Sequence, residues 1–295
     1  MALQWYPGHM TKARRELAEL MPSQDVVIEV LDARLPAAST NPVVAELRGD
    51  TPCIKVLAKA DLADPEVTRA WLAQLVREPR VAAFAAIAER PNEARKRIAE
   101  LAARFGLRHR PDRPIRALIA GVPNVGKSTL INGLMDRLVA KTGDKPAVTK
   151  VQQRVVLASG MVVTDSPGIM WPKIEDETGA LRLALAGSIP DTAIDYLTIG
   201  LFGARLFLAS YAELVVTRYK LPAIPASAEA LLTEIGRRRG GLRAGGTVDL
   251  HKASEILVHE FRHGMLGRIS LEAPAEPAAS TEPAEPAASA EPDAS

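Results

Sequence analysis

The chain has 295 residues, 47% of them hydrophobic, enough for one sizeable core and a second, smaller one. Its single cysteine, Cys53, excludes an intrachain disulfide framework, and no run of 18 apolar residues offers a membrane span. Net charge is +2, but residues 272–295 hold six of the 35 acids and no Lys or Arg, so the remaining 29 acids face 37 basic residues at +8. A moderately basic body suits a polyanionic partner.

The opening, MALQWYPGHMTKAR, carries charge where a secretory signal needs its apolar centre, so a cytoplasmic protein is expected. TKARRELAEL then predicts a basic helix, capped by Thr11 and closed by Met21-Pro22. DVVIEVLDA and TPCIKVLAKAD read as β-branched strands, with Cys53 a small buried residue of the second. PEVTRAWLAQLV reads as a helix before the strand VAAFAAIA. This alternation implies an α/β fold with a mostly parallel sheet. The charged helix NEARKRIAELAARFGL leads through the linker RHRPDRP to the strand IRALIAGV, the helix STLINGLM and the strands QQRVVLAS and MVVT. From about Glu175 the strand signals fade and helical segments such as ALRLALAGSI, AEALLTEIGRRRG and VDLHKASEILVHEFRHG dominate. Three units are therefore expected: 1–174, a helical domain at 175–271, and 272–295. That last segment, built from Ala, Pro, Glu and Ser, cannot offset its ordering entropy and is expected to be disordered.

The segment Gly121-Val122-Pro123-Asn124-Val125-Gly126-Lys127-Ser128-Thr129 fits G-x-x-x-x-G-K-[ST] between an apolar strand and a helix. Its glycines let backbone N–H groups close around phosphates, and the helix N-terminus adds a favourable dipole. Lys127 bridges terminal phosphates and the Ser128 hydroxyl can ligate Mg²⁺. Downstream, MVVT runs into Asp165-Ser166-Pro167-Gly168, where a strand-end carboxylate can hold Mg²⁺ and the Gly168 amide can sense a γ-phosphate. Between them Thr149 is the candidate second Mg²⁺ hydroxyl, with Thr142 and Thr164 as nearby alternatives.

Many ATPases share these features, so the base must be read elsewhere. GTPases end a strand in N-K-x-D, whose Asp accepts two guanine donors while the Lys stem covers the base plane. Here the strand ends Ala58-Lys59-Ala60-Asp61, matching at Lys59 and Asp61. VAAFAAIA ends where a short loop offers an N–H to the guanine oxygen, and Ala86 is the candidate.

In QWYPGHMTKAR, DARLPAASTNP, the order AKAD, GVPNVGKST, DSPGIMWPK, and FRHGMLGRISLE, residues 3 to 272 closely resemble the circularly permuted GTPases of the ribosome biogenesis GTPase A type. The resemblance implies a phosphate-loop GTPase fold, circularly permuted, followed by a small all-helical C-terminal RNA-binding domain. It implies a monomer that binds GTP and GDP, uses Mg²⁺ and acts on the precursor of the large ribosomal subunit and its rRNA. It further implies that His9 orients or activates the attacking water and that Asn124 is associated with K⁺. Permutation is tolerable because each loop follows its own strand in one sheet.

Two departures stand out. Position 58 holds Ala where the family has Asn, which removes bonds between base loop and phosphate loop; Ala147 stands where the family has Gly. After D-x-x-G comes Ile169, without a polar atom to orient water, so hydrolysis is expected to be slow alone and stimulated by the ribosomal subunit. A non-hydrolysing, nucleotide-gated scaffold is the alternative from the binding-module class; an ATPase requires discounting Lys59 and Asp61. His259-Glu260-Phe261-Arg262-His263 fits the zinc motif H-E-x-x-H, but Leu266 and Ile269 replace the Gly and His of its extended form, so a solvated basic helix face is expected there. Lys12, Arg14 and Arg15, with Arg237, Arg238, Arg239, Arg243, Arg262 and Arg268, are the candidate RNA contacts.

Overall fold

The computed structural model describes residues 7–108, 110, 112–135, 154–157, 160–166, 176–243 and 245–275. Helix α1 (Pro7–Leu20) opens on a proline, whose fixed φ and missing N–H suit a first helical turn. It begins before Thr11, so that threonine lies inside the helix instead of capping it, and Pro22 joins a short 3-10 turn at its end. Strand β1 (Val26–Asp32) is buried at every position, as a strand covered on both faces must be. There follow α2 (Pro36–Ser39), α3 (Pro42–Arg48), β2 (Cys53–Ala58), α4 (Pro65–Leu75), β3 (Val81–Ala85) and α5 (Pro91–Arg104). Then come β4 (Arg116–Ala120), α6 (Lys127–Met135), β5 (Arg154–Val156) and β6 (Val162–Asp165). Cys53 is buried and unpaired.

The six strands lie in the order β3-β2-β1-β4-β6-β5, all parallel except β5, which runs against β6. The mostly parallel sheet is thus present, with one antiparallel edge. The chain moves outward from β1 through β2 to β3, then returns to the other side of β1 with β4. Strand order reverses at β1, and in doubly wound sheets ligands occupy the crevice at the carboxyl ends beside such a reversal. Asp32 pairs in register with Ala58, and Ile119 with Asp165, so the strands that feed the base and phosphate motifs end along one edge.

From Glu177 on the described elements are helices: α7 (Glu177–Leu185), α8 (Tyr196–Ser210), α9 (Ala212–Tyr219), α10 (Ala228–Arg239) and α11 (Leu250–Arg262). Asp176, Asp195, Ser227 and Asp249 each cap a helix by accepting a first-turn N–H. Gly200 lets α8 meet α11 closely, because a methyl there would lie 2.4 Å from the Ser254 side chain. Phe207 stacks on Phe261, 5.2 Å between centroids, and the apolar residues of these helices continue the core that covers the sheet.

After α11 the chain returns to the carboxyl edge of the sheet. The N–H of Ile269 donates to the Leu62 carbonyl (3.0 Å), that of Leu271 to the Arg34 carbonyl (2.6 Å), and the Trp71 indole to the Glu272 carbonyl (3.2 Å). Glu272, grouped by composition with the acidic tail, is a buried side chain here. One carboxylate oxygen accepts the Ala37 and Ala38 N–H groups that open α2, the other the Arg182 guanidinium at 3.2 Å. Glu272→Ala leaves those amides without their acceptor and Arg182 with only the Leu271 carbonyl, and is expected to cost about 1–2 kcal/mol, read as a lower urea midpoint at unchanged slope.

Candidate functional site

At the carboxyl edge the four strand ends bring together most of the residues singled out in the sequence. Gly121 follows β4 with φ of +153°, and a methyl on it would lie 2.4 Å from the Val30 carbonyl oxygen. No residue but glycine fits there. Asn124 takes a left-handed conformation, φ 58°, which Asn tolerates better than most residues. The loop then enters α6 at Lys127, whose ammonium donates to the Gly121 and Val122 carbonyls, both at 2.8 Å. Val125 is buried, Gly126 and Thr129 line the crevice at the helix start, and Ser128 lies in the first turn of α6.

Asp165 ends β6, and both its carboxylate oxygens are buried with no hydrogen-bond partner among the described residues. Burial pushes its carboxyl up to about 6 against the pull of Lys127, and burial pushes Lys127 down to about 8 against the pull of Asp165. A buried, orphaned carboxylate beside a phosphate loop is what a divalent cation requires, so Asp165 fits a Mg²⁺ role. Thr149, Gly168, Ile169 and Ala147 lie outside the described residues; so does the side chain of His9, whose backbone lies in α1.

A pocket of about 240 Å³ opens between the base loop and α6. It is lined by Lys59, Asp61 and Leu62, by Ala86 to Ala88, by Pro91 of α5, and by Gly126, Thr129 and Gly133. Its walls are mostly apolar with Asp61 as the carboxylate, suited to a flat base with donors at one edge. Ala86 lines it, but its N–H donates to the Leu57 carbonyl at 2.8 Å and is committed within the backbone. The expected N–H donor to a base oxygen therefore is not Ala86. The candidate amides shift to the next two pocket residues, Ile87 and Ala88.

Sequence reasoning missed Asp32 and Arg34. Arg34, fully buried, clasps the Asp32 carboxylate with Nε at 2.9 Å and Nη2 at 2.8 Å, and lies 4.8 Å over the Phe261 ring. Lys59 donates to the same carboxylate at 2.9 Å and to the Asn124 carbonyl at 2.6 Å, so its ammonium spans base loop and phosphate loop. Burial opposes ionisation of Asp32, yet the Arg34 and Lys59 charges outweigh it and hold the carboxyl well below the usual range. The signal was present in DARLP, but a lone acid and base two residues apart on an apolar strand carry no spacing rule.

The Asn124 amide nitrogen donates to the Gly187 carbonyl, 2.9 Å away after α7, which ties the phosphate loop to the helices. Arg262 is not a surface contact: it donates to the Leu185 and Ala184 carbonyls at the end of α7 and pairs with Asp191. Nor is the H-E-x-x-H helix a solvated face throughout. His259 and His263 are exposed, but Glu260 is buried and clasped by Arg218 at 2.8 and 2.9 Å, which leaves it unavailable as a base for a metal-bound water.

Similarity to known proteins extends over this whole architecture. Residues 116–194 match a family described as 50S ribosome-binding GTPase. Ribosome biogenesis GTPase A of Bacillus licheniformis is 40% identical over 282 residues, covering 94% of this chain and all of the relative. The Bacillus cereus protein of that name is 41% identical, covering 94% and 95%, and the Thermotoga maritima one 32%, covering 93% and 95%. Among solved structures, GNP-bound YlqF from T. maritima aligns with TM-score 0.64 at 29% identity, covering 90% of this chain and 99% of that one. The GDP-bound structure of TM YlqF gives 0.65 at 28%, covering 89% and 100%.

Gly121→Ala is expected to abolish nucleotide binding and to lower the melting temperature, since the added methyl must displace β1 backbone; calorimetry with GDP checks the first and a thermal melt the second.

Proposed function

This chain belongs to the ribosome biogenesis GTPase A family, and from that premise we propose a GTPase that binds precursors of the large ribosomal subunit in its GTP state and hydrolyses GTP to GDP and phosphate. One observation carries the reading: an apolar pocket with a carboxylate at one end adjoins a phosphate loop, on a single sheet edge.

In this proposal Asp61 accepts the two guanine donors and the Lys59 stem covers the base. Lys127 exchanges the Gly121 and Val122 carbonyls for terminal phosphate oxygens, and the loop amides from Asn124 to Thr129 close around them. Asp165 with Ser128 and Thr149 would hold Mg²⁺, which when bound offsets charge on the phosphates. Asn124 is the candidate for K⁺ beside them. His9, carried on α1, orients the attacking water once the ribosomal particle is docked. A water placed this way replaces what Ile169, after D-x-x-G, cannot supply.

Residues 175–272 act as the RNA-binding unit, Glu272 now included with it, and the residues that follow act as an acidic tail, in a cytoplasmic monomer. Lys12, Arg14 and Arg15 with Arg237, Arg238, Arg239, Arg243 and Arg268 are the proposed phosphate contacts; Arg262 is set aside as a brace of α7. Several of these are held by weak surface ion pairs, Arg237 and Arg238 by Glu234 and Arg14 by Glu46, which RNA phosphates can replace. No single described helix is long and apolar enough to cross a membrane.

GDP is expected to bind up to about 10⁴-fold more tightly than ADP, because adenine leaves Asp61 unpaired; Asp61→Asn should move preference toward xanthosine diphosphate. Equal GDP and ADP affinities would sink this assignment. For the partner, affinity for large subunits should fall by roughly one log unit per tenfold salt for each phosphate neutralised. Replacing Arg237, Arg238 and Arg239 with Ala should flatten that slope while GDP affinity holds. His9→Ala should keep GTP and subunit binding and lose most subunit-stimulated phosphate release.

A further inference from the structure

The base loop is held on both sides of Asp61. Before it, the Ala60 N–H donates to the Ala86 carbonyl at 3.2 Å, just past β3, and the Leu62 N–H closes a turn on the Lys59 carbonyl at 3.0 Å. After it, the partners come from the segment that follows α11. The Leu62 carbonyl accepts the Ile269 N–H, and the Asp64 N–H donates to the Ser270 hydroxyl oxygen at 3.2 Å. Tyr211, between α8 and α9, closes a circuit: its hydroxyl accepts the Ser270 N–H at 3.2 Å and donates to Asp64 Oδ2 at 3.4 Å. A phenol can do both at once.

We propose that Ser270 and Tyr211 are positioning residues for guanine recognition: by fixing Asp64 they set the far end of the base loop and hold Asp61 at the angle that accepting two base donors requires. The inference rests on Asp61 being the guanine carboxylate. Three features support it. First, Asp64 is more than a helix cap. Its Oδ1 already accepts the Glu66 and Val67 N–H groups that open α4, which leaves its N–H and Oδ2 to other partners. Both go to residues far off in the chain, 206 positions away at Ser270 and 147 at Tyr211. Second, the same segment seats Leu62, which lines the pocket next to Asp61. Gly264 turns there at φ 70°, and a methyl on it would lie 2.6 Å from Leu62 Cδ2. Third, Ser270 is itself fixed. It is buried between Ile269 and Leu271, whose N–H groups hold the Leu62 and Arg34 carbonyls, so its hydroxyl resists a shift of the loop. A carboxylate that must meet two donors side by side gains from such support, because a small rotation breaks one of the two bonds.

The test is competition of unlabelled GDP and inosine diphosphate (IDP) against a fluorescent GDP analogue. IDP keeps the N1–H of the base and lacks the exocyclic amine, so the ratio of the two affinities reads whether Asp61 is aligned for both bonds. The wild type should favour GDP by about tenfold or more, the worth of a hydrogen bond to a charged group. S270A and Y211F, each of which removes one oxygen, should weaken GDP several-fold and IDP less. Combined, they should bring the two affinities to within about threefold of each other. I235V, a core truncation in α10, should lower the melting temperature and leave the ratio at the wild-type value. A ratio that holds at the wild-type value in S270A and Y211F overturns the proposal, as does an equal drop in I235V, which would assign the effect to lost stability. Should one of the two variants not fold, the other carries the same readout. A wild type that binds GDP and IDP alike, with D61N changing neither, rejects the guanine reading itself and the proposal with it.

Discussion

One carboxylate buried between two cations at the end of β1 organises the site. Taking Asp32 out of water is costly, and only the paired geometry of Arg34 and Lys59 makes the charged form stable there. Each partner then reaches a different part of the molecule. Lys59 extends to the phosphate loop, while Arg34 lies over Phe261 of α11 and offers its carbonyl to Leu271. Base loop, phosphate loop and C-terminal helices thus meet at one charge cluster, and the surrounding elements are placed with respect to it.

A second link runs parallel to the first. Arg262 on α11 holds the last carbonyls of α7, and the segment that follows gives the Gly187 carbonyl to Asn124. The phosphate loop therefore touches the helices through a side-chain amide, and the base loop touches them through Ile269 on Leu62. A ligand that draws Asn124 toward phosphates changes what Gly187 can hold. The permuted order makes this economical, since the helices follow directly after the strand that carries Asp165.

Strands and helices were legible wherever short apolar runs alternated with charged periodic segments, and the phosphate loop was legible because its glycines answer a steric demand that few other arrangements make. The carboxylate Asp165 was legible from its place after a strand. Ala86 was not, because which amide of a loop is free depends on whether the preceding backbone bond to Leu57 continues the sheet, and no residue type encodes that. Arg262 misled for a related reason: an arginine on a basic helix reads as surface, whereas tertiary packing turned it onto α7 carbonyls. Thr11 is a plausible cap in isolation, but Pro7 starts the helix earlier. Glu272 shared the composition of the tail while its carboxylate belonged to α2.

The segment after α11 reaches back to elements made much earlier on the translating ribosome. Trp71 and the Glu272 carbonyl that receives its indole are 201 residues apart, and the α2 amides wait still longer for the Glu272 carboxylate, 235 residues from Ala37. At synthesis rates of roughly 5–20 residues per second, the base loop of a nascent chain spends about 10–40 s without the segment that seals it. During that interval Arg34 lacks Phe261 and its carbonyl lacks Leu271, so the charge cluster is open to water from the side that α11 later covers. A chain that stops between the phosphate loop and Leu271 therefore carries the phosphate loop but lacks the segment that joins the Trp71 indole, the Arg34 carbonyl and the α2 amides.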